Sequence, residues 1–242
     1  MIELSENEFL TDVNDGIRLI QNKKGLTYGT DAYLLSAFVK ARPSGTAAEI
    51  GSGSGIISLL LGARKKFAKI YALEVQEYYA SLTGRNAALN GLDGIVEAVH
   101  TDAREFKTEC DAVFMNPPYM KTESGKRNAD DGQYAARHEV FGGVDELCVA
   151  AAGMLKYGGD LYVVYRPDRM TDVICAMRNS GVEPKTLCFV HQSTLHQPCL
   201  MLVSGKKGGK SGITLLRPLI LTENGAESDD VKKIYESGVW VD

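Results

Sequence analysis

Apolar positions in residues 8–21 fall at Phe9, Leu10, Val13, Ile17, Leu19 and Ile20, divided by the turn signal Asn14-Asp15-Gly16. This pattern predicts a small hairpin. Thr30 then stands where a helix cap belongs, and residues 31–40 carry apolar side chains at helical spacing until Pro43-Ser44-Gly45 interrupts. From residue 46 short apolar runs alternate with helical spacing. The runs predict strands at 46–50, 69–73, 95–99, 111–115 and 160–165. The spacing predicts helices at 56–64, 76–90, 141–155 and 168–179, with Lys156-Tyr157-Gly158-Gly159 as a turn. Two further runs, 185–191 and 199–204, lie close enough to pair antiparallel across 192–198. The order predicts an α/β fold: a seven-stranded, mostly parallel sheet with helices on both faces and an antiparallel edge hairpin. Neither a repeat nor a second domain is visible, so 1–242 reads as one domain with 1–45 as an N-terminal hairpin-and-helix extension. Residues 120–137 are polar, contain glycine and are long for a loop, which suggests a mobile cover over a site.

Composition narrows the function classes. With 242 residues, 44% hydrophobic and 24% charged, the chain has enough material for a core. No apolar run approaches the roughly eighteen residues of a membrane span. The start, Met1-Ile2-Glu3-Leu4, lacks the basic and apolar stretches of a secretion signal, so a cytoplasmic protein is expected. The five cysteines are scattered without a CxxC, as in a reducing compartment, and predict neither disulfides nor a metal cluster. His191 and His196 are flanked by no acid or cysteine, so no metal is expected there. A net charge of -4 excludes a strongly basic nucleic-acid binder but leaves room for local patches. These are Arg64-Lys65-Lys66 with Lys69, the stretch 121–127, and Lys206, Lys207 and Lys210. The plain reading of each is a solvated surface. The last is glycine-rich, so it is expected to be mobile and suited to phosphate.

Candidate chemistry gathers at the ends of the predicted strands. Gly51, Gly53 and Gly55 follow one strand and open a helix, and their bare backbone lets a ligand lie against the chain. Glu74 ends the second strand, where an acid commonly grips ribose hydroxyls. So far a dinucleotide oxidoreductase remains open. Glu49 before the glycines, Asp102 after the third strand and Asn116-Pro117-Pro118-Tyr119 after the fourth argue against it. Four successive strands then deliver polar groups to one crevice.

Taken together, Glu49-Ile50-Gly51-Ser52-Gly53-Ser54-Gly55, Glu74, Asp102-Ala103 and Asn116 to Tyr119 resemble the Rossmann-like methyltransferases that use S-adenosylmethionine. The segment Lys24 to Ala32, and Ala136-Arg137 after the long loop, extend the resemblance to the bacterial family that methylates N6 of adenine 37 in valine tRNA. The resemblance implies that Glu49 and the glycines surround the methionine part of the cofactor. It also implies that Glu74, with Val75 beside it, binds the ribose and that Asp102 with Ala103 binds the adenine amine. RNA, in particular tRNA, becomes the expected partner.

An exocyclic amine on a ring is a poor nucleophile because its lone pair is delocalised. The Asn116 side-chain oxygen and a backbone carbonyl of Pro117-Pro118 would accept its two hydrogens and turn the lone pair toward a methyl sulfonium. Tyr119 would stack on the base. Catalysis would be mainly positioning and electrostatic complementarity, and prolines fix the backbone before the substrate arrives. Weaker candidates are Tyr28 and Thr30 beside the cofactor. Arg137 with His138, Arg166, Lys206, Lys207 and Lys210 are weaker candidates on the substrate side. Other amine substrates share the motif's chemistry, namely protein glutamine N5, guanine N2 in ribosomal RNA and adenine in DNA. A non-catalytic RNA-binding module that keeps the fold is the alternative from another class.

Overall fold

In the computed structural model of the chain, residues 4–23, 25, 28–117 and 142–241 are described. The chain opens with the hairpin β1 (Glu8–Asp12) and β2 (Arg18–Asn22), then α1 (Thr30–Phe38). The alternating part follows: β3 (Arg42–Ile50), α2 (Ile56–Ala63), β4 (Phe67–Glu74), α3 (Glu77–Leu89), β5 (Val96–His100) and β6 (Cys110–Met115). After it come α4 (Val144–Met154), β7 (Leu155–Tyr165), α5 (Met170–Asn179), β8 (Val182–His191) and β9 (Pro198–Lys207). The chain ends with the two-residue strands β10 (Thr214–Leu215), β11 (Leu219–Ile220), β12 (Thr222–Glu223) and β13 (Ala226–Glu227), and the helix α6 (Asp229–Ser237).

The central sheet runs β5-β4-β3-β6-β7-β9-β8, parallel except for β9, which pairs antiparallel with both β7 and β8. These are the seven predicted strands. β10 and β11 add two short parallel segments along the outer edge of β8, which makes the sheet nine-stranded. Alternate residues feed two cores. Ala47, Ala112, Phe114, Tyr162 and Val164 face α1, α2 and α6. Ala48, Val113, Met115, Leu161 and Val163 face α4 and α5. Burial on both faces is why these strands read as unbroken apolar runs.

Four local expectations change. Thr30 is the first residue of α1 and Gly29 is its N-cap, so the threonine side chain caps nothing. Pro43-Ser44-Gly45 does not end an element; it is a bulge within β3, where pairing jumps from Arg42–Phe67 to Thr46–Lys69. The turn at 156–159 is likewise a bulge inside β7, between Cys110–Leu155 and Ala112–Asp160. In both, backbone that breaks local periodicity is absorbed by one irregularity because the flanking residues still pair. Finally, β9 runs through Lys207, so Lys206 and Lys207 are ladder residues and not a loose loop.

The N-terminal hairpin docks on α3 through asparagines. Asn86 accepts from the Ile20 N–H (2.7 Å) and donates to the Ile20 carbonyl (3.0 Å). Asn90 repeats the pair with Arg18, both bonds at 2.8 Å. Four residues of helix rise about 6 Å and two of strand about 6.6 Å, so helical amides can stand in for a neighbouring strand. Arg85 grips the buried Glu8 carboxylate with two nitrogens (2.7 and 2.9 Å). These bonds hold the Glu8 pKa down at about 2.

Candidate active site

Register fixes the level of the site. Ile50 pairs with Met115 on one side and Leu73 on the other. One residue further stand Gly51, Asn116 and Glu74, on strands about 4.8 Å apart. They meet where the chain leaves β3 and β6 toward opposite sides of the sheet, the usual crevice for ligands in such folds.

The loop after β3 is tied down by its neighbours. The N–H groups of Gly51 and Ser52 both donate to the Leu73 carbonyl (2.9 and 3.0 Å). Gly51 and Gly53 have positive φ, and a Cβ on either would meet nothing within 4 Å, so both α-carbons face open space. At Gly55 a Cβ would fall 2.9 Å from the Thr83 methyl, so α3 packs directly on the loop. Glu74 is 4% exposed; one carboxylate oxygen accepts from the Gly53 N–H and the other from the Gln76 N–H, each at 3.0 Å.

Glu49 lies beneath the loop, 1% exposed, and accepts from the Ser58 N–H (3.1 Å) and the Ser58 hydroxyl in α2. Burial pushes its pKa up to about 8 against the pull of Ser58, and the nearby Glu74 adds to the rise. Asp102 is half-buried. The Arg104 side chain forks onto it (2.9, 3.0 and 2.5 Å) and reaches Glu146 of α4 (3.0 Å). Those bonds lower the Asp102 pKa. Beside this pair a groove of 520 Å³ opens between the β5–β6 connection and α4, lined by Phe106, Val149, Ala150 and Gly153 among others.

Asn116 is half-buried at the end of β6, and its side-chain Nδ2 donates to Asp31 Oδ2 at 2.8 Å. Pro117 is buried behind it. Pro118, Tyr119, Arg137, His138 and the expected cover at 120–137 lie outside the described residues, as do the 121–127 patch, Lys24, Leu26 and Thr27.

The structure thus gathers Glu49, Gly51, Gly53, Gly55, Glu74 and Asn116 around one loop. Asp102 and Ala103 follow the neighbouring strand, and the Val75 carbonyl accepts from His100 Nε2 (3.1 Å) across β4 and β5. Tyr28 packs edge-on to Tyr33 and Thr30 hydrogen-bonds Tyr235, which directs both toward α6. Arg166 leaves β7 at the same end of the sheet, forked onto Asp168 (2.9 and 2.7 Å). Lys206 and Lys207 are not gathered with them. Lys206 pairs in register with Asp160, near the amino end of β7, so both lysines lie at the opposite end of the sheet. Lys206 Nζ donates to Gly158 O (2.9 Å) and Asp160 (2.6 Å), and Lys207 Nζ to Ala152 O and Leu155 O (both 2.7 Å). Lys210 lies just past that end and is exposed.

Four residues of the site were not singled out from the sequence: Asp31, Ser58, Thr83 and Asn86. Thr83 donates to the Gly53 carbonyl (2.9 Å), and the fully buried Asn86 donates to the Ser54 carbonyl (2.9 Å) while holding Ile20. Thr83, Asn86 and Asn90 are polar positions three and four apart on one face of a helix. That spacing was the available signal. Among the described residues no helix is long and apolar enough to cross a membrane, and no group of histidine, cysteine or acidic side chains is arranged to hold a metal.

Comparison with known proteins agrees with this layout. Residues 22–179 match the family model for the methyltransferase small domain. A tRNA1(Val) (adenine(37)-N6)-methyltransferase of Aeromonas hydrophila is 30% identical over 193 residues, 78% of this chain and 75% of that protein. The enzyme of that name from a Flavobacteriaceae bacterium is 29% identical over 111 residues, and that match spans about half (48%) of its length and 45% of this chain. The crystal structure of an Agrobacterium tumefaciens protein described as a predicted O-methyltransferase superposes with a TM-score of 0.70. It covers 87% of this chain and 98% of its own at 21% identity, a likeness that speaks to the fold alone. The chain belongs to the methyltransferase small domain family and is an S-adenosylmethionine-dependent methyltransferase on a Rossmann-like α/β fold.

Proposed function

We propose that this enzyme methylates N6 of an adenine in RNA, with tRNA as the substrate class. The observation that carries the reading is Asn116: a side-chain amide at the level of the glycine loop, oriented by an acid, opening an Asn-Pro-Pro-Tyr sequence. The relatives named as tRNA adenine-N6 methyltransferases support the substrate class.

The donor set fits the cofactor. The open faces of Gly51 and Gly53 leave room for a ligand against the backbone. In this reading Gly51, Gly53 and Gly55 shape the cradle for its methionine part, with Glu49 buried beneath them as a brace for α2. Glu74 accepts from a pair of ribose hydroxyls while holding the loop N–H, and Asp102, with Val75 and Ala103 beside it, accepts from the adenine amine. A carboxylate has about four acceptor positions, enough for both partners. Bound S-adenosylmethionine supplies an electrophilic methyl group on a positive sulfonium. Asn116 Oδ1 and a backbone carbonyl of Pro117 or Pro118 would accept the two hydrogens of the substrate amine, and Tyr119 would stack on its base. No strong general base is required, because the sulfonium's charge supplies the drive and the protein supplies alignment. Tyr28 and Thr30 support the wall beside the cofactor, and Arg137 and Arg166 serve the RNA side. All five cysteines are free, which suits a reducing cytoplasm.

The test is methyl transfer from labelled S-adenosylmethionine to total RNA from cells lacking this gene, followed by nucleoside mass spectrometry. The expected product is N6-methyladenosine. Label on guanine N2, or no label in RNA, would replace this reading with one of its rivals.

A further inference from the structure

We propose that Asp31 is a positioning residue for Asn116, deciding which end of its amide faces the substrate. The inference rests on the reading in which Asn116 accepts a hydrogen from the reacting amine.

Asparagine's last torsion is broad and roughly two-fold, so a rigid proline backbone after it does not choose between carbonyl and NH2. An ionised carboxylate only accepts hydrogen bonds. With Asp31 Oδ2 2.8 Å from Asn116 Nδ2, the amide must turn its NH2 to Asp31, and its carbonyl end points away from it. The flipped amide would set two acceptors against each other and aim a donor at the hydrogens of the substrate amine. The bond is charge-assisted and therefore stronger than a neutral one.

Asp31 is itself fixed. It lies in the first turn of α1, where the helix end favours a negative charge, and its Oδ1 accepts from the Ala32 N–H at 3.0 Å. At Gly29 a Cβ would fall 2.9 Å from that Oδ1, so a larger residue there would push on the carboxylate. The two partners are 85 residues apart in sequence, so α1, which precedes the central sheet, completes the site that β6 begins.

The pair can be tested by exchange. With labelled cofactor and total RNA from cells lacking this gene, Asp31→Ala should lower kcat roughly ten- to hundredfold, the scale of a misplaced reacting group. Titration calorimetry should show cofactor affinity close to the parent. Asp31→Asn has one carbonyl where Asp31 has two acceptors; kept on the Ala32 N–H, it turns its NH2 to Asn116 and favours the flipped amide, so turnover should fall as in Asp31→Ala. Asn116→Asp alone opposes two carboxylates; the double variant Asp31→Asn/Asn116→Asp restores a donor–acceptor pair and should recover much of what Asn116→Asp loses. In cofactor-free protein the Asn116 side-chain amide resonance, assigned by its loss in Asn116→Asp, should shift and exchange faster with solvent in Asp31→Ala. Parent-like kcat and an unchanged resonance in Asp31→Ala would overturn the inference, as would a double variant no better than the product of its singles. Asn116→Ala in the same assay separates the two levels. If it collapses turnover while Asp31→Ala does not, only the positioning role fails. If it keeps turnover, the reading beneath fails and this inference with it.

Discussion

At the carboxyl ends of the parallel strands, acids hold backbone N–H groups; at the amino ends, lysines hold carbonyls. Glu74 takes the N–H of Gly53 and Gln76, Glu49 that of Ser58, and Asp31 that of Ala32. At the other end Lys66 Nζ donates to the carbonyls of Ser36, Ala37 and Val39 (2.8, 3.1 and 2.8 Å), closing α1. Lys207 does the same for the end of α4. Of the acids at that end, Asp111 pairs with Lys156 and, as an exception to the rule, accepts from the Thr46 N–H (2.8 Å), and Asp160 pairs with Lys206 and Arg42. The cause is topological. In a parallel sheet helices begin where strands end and leave unpaired N–H groups, and they finish where strands begin and leave unpaired carbonyls. The same repeat therefore makes one end ready for hydroxyl- and amine-bearing ligands, while the cations of the other end are engaged in holding the fold together.

The contrast can be broken from either side. The largest effect is expected at Asn116→Ala: a loss of roughly 10²–10³ in turnover, as for removal of one oriented hydrogen-bonding group at a reacting centre. Calorimetry should show cofactor affinity within about twofold of the parent, and near-parent turnover would remove the amide from the chemistry. Next is Glu74→Ala, which strips the acceptor from two N–H groups. Affinity for S-adenosylmethionine should fall at least tenfold, from a loss of about 1.5–3 kcal/mol for bonds to a charged group. Lys66→Met should behave oppositely. Three carbonyls lose their donor, and urea unfolding should report a stability loss of about 1–3 kcal/mol with cofactor affinity unchanged. A cofactor defect there would show that the two ends are coupled.

Smaller effects sharpen the picture. Glu49 titrates at about 8 when folded, above its ordinary value of 4.5, so the folded state keeps a proton that the unfolded chain has lost. Its contribution to stability is complete below about 4.5 and is lost as pH rises through about 8. Glu49→Gln, which imitates the protonated acid, should flatten the fall of the melting temperature between those values; an unchanged slope would mean that Glu49 is ionised in its pocket. Smallest of all, Lys206→Met with Lys207→Met should leave the salt dependence of RNA binding as it is. A slope reduced by about one per lysine would mean phosphate is gripped at the far end of the sheet.

How much of this was legible in the sequence follows from the range of each interaction. The strands, the hairpins and the glycine loop are local patterns, and their periodicity and turn residues mark them to within a few residues. The bulges at 43–45 and 156–159 look like breaks in the sequence because only the paired neighbour shows that the ladder resumes. Asp31 and Asn116, Lys66 and α1, Asn86 and Ile20 are long-range partnerships between ordinary polar residues, and no local spacing announces them. The conformation of Lys206 and Lys207 is hidden for the same reason. Among glycines they look like a loose basic loop, whereas pairing of Lys206 with β7 and of Lys207 with β8 puts them over carbonyls.

The claim that the acid-lined end holds the cofactor is tested most directly by amide hydrogen exchange with and without S-adenosylmethionine. The account predicts protection in peptides covering 51–55, 74–76, 102–104 and 116, with none at 152–158 or 205–210. Protection at the lysine end, or none in the glycine loop, would contradict it.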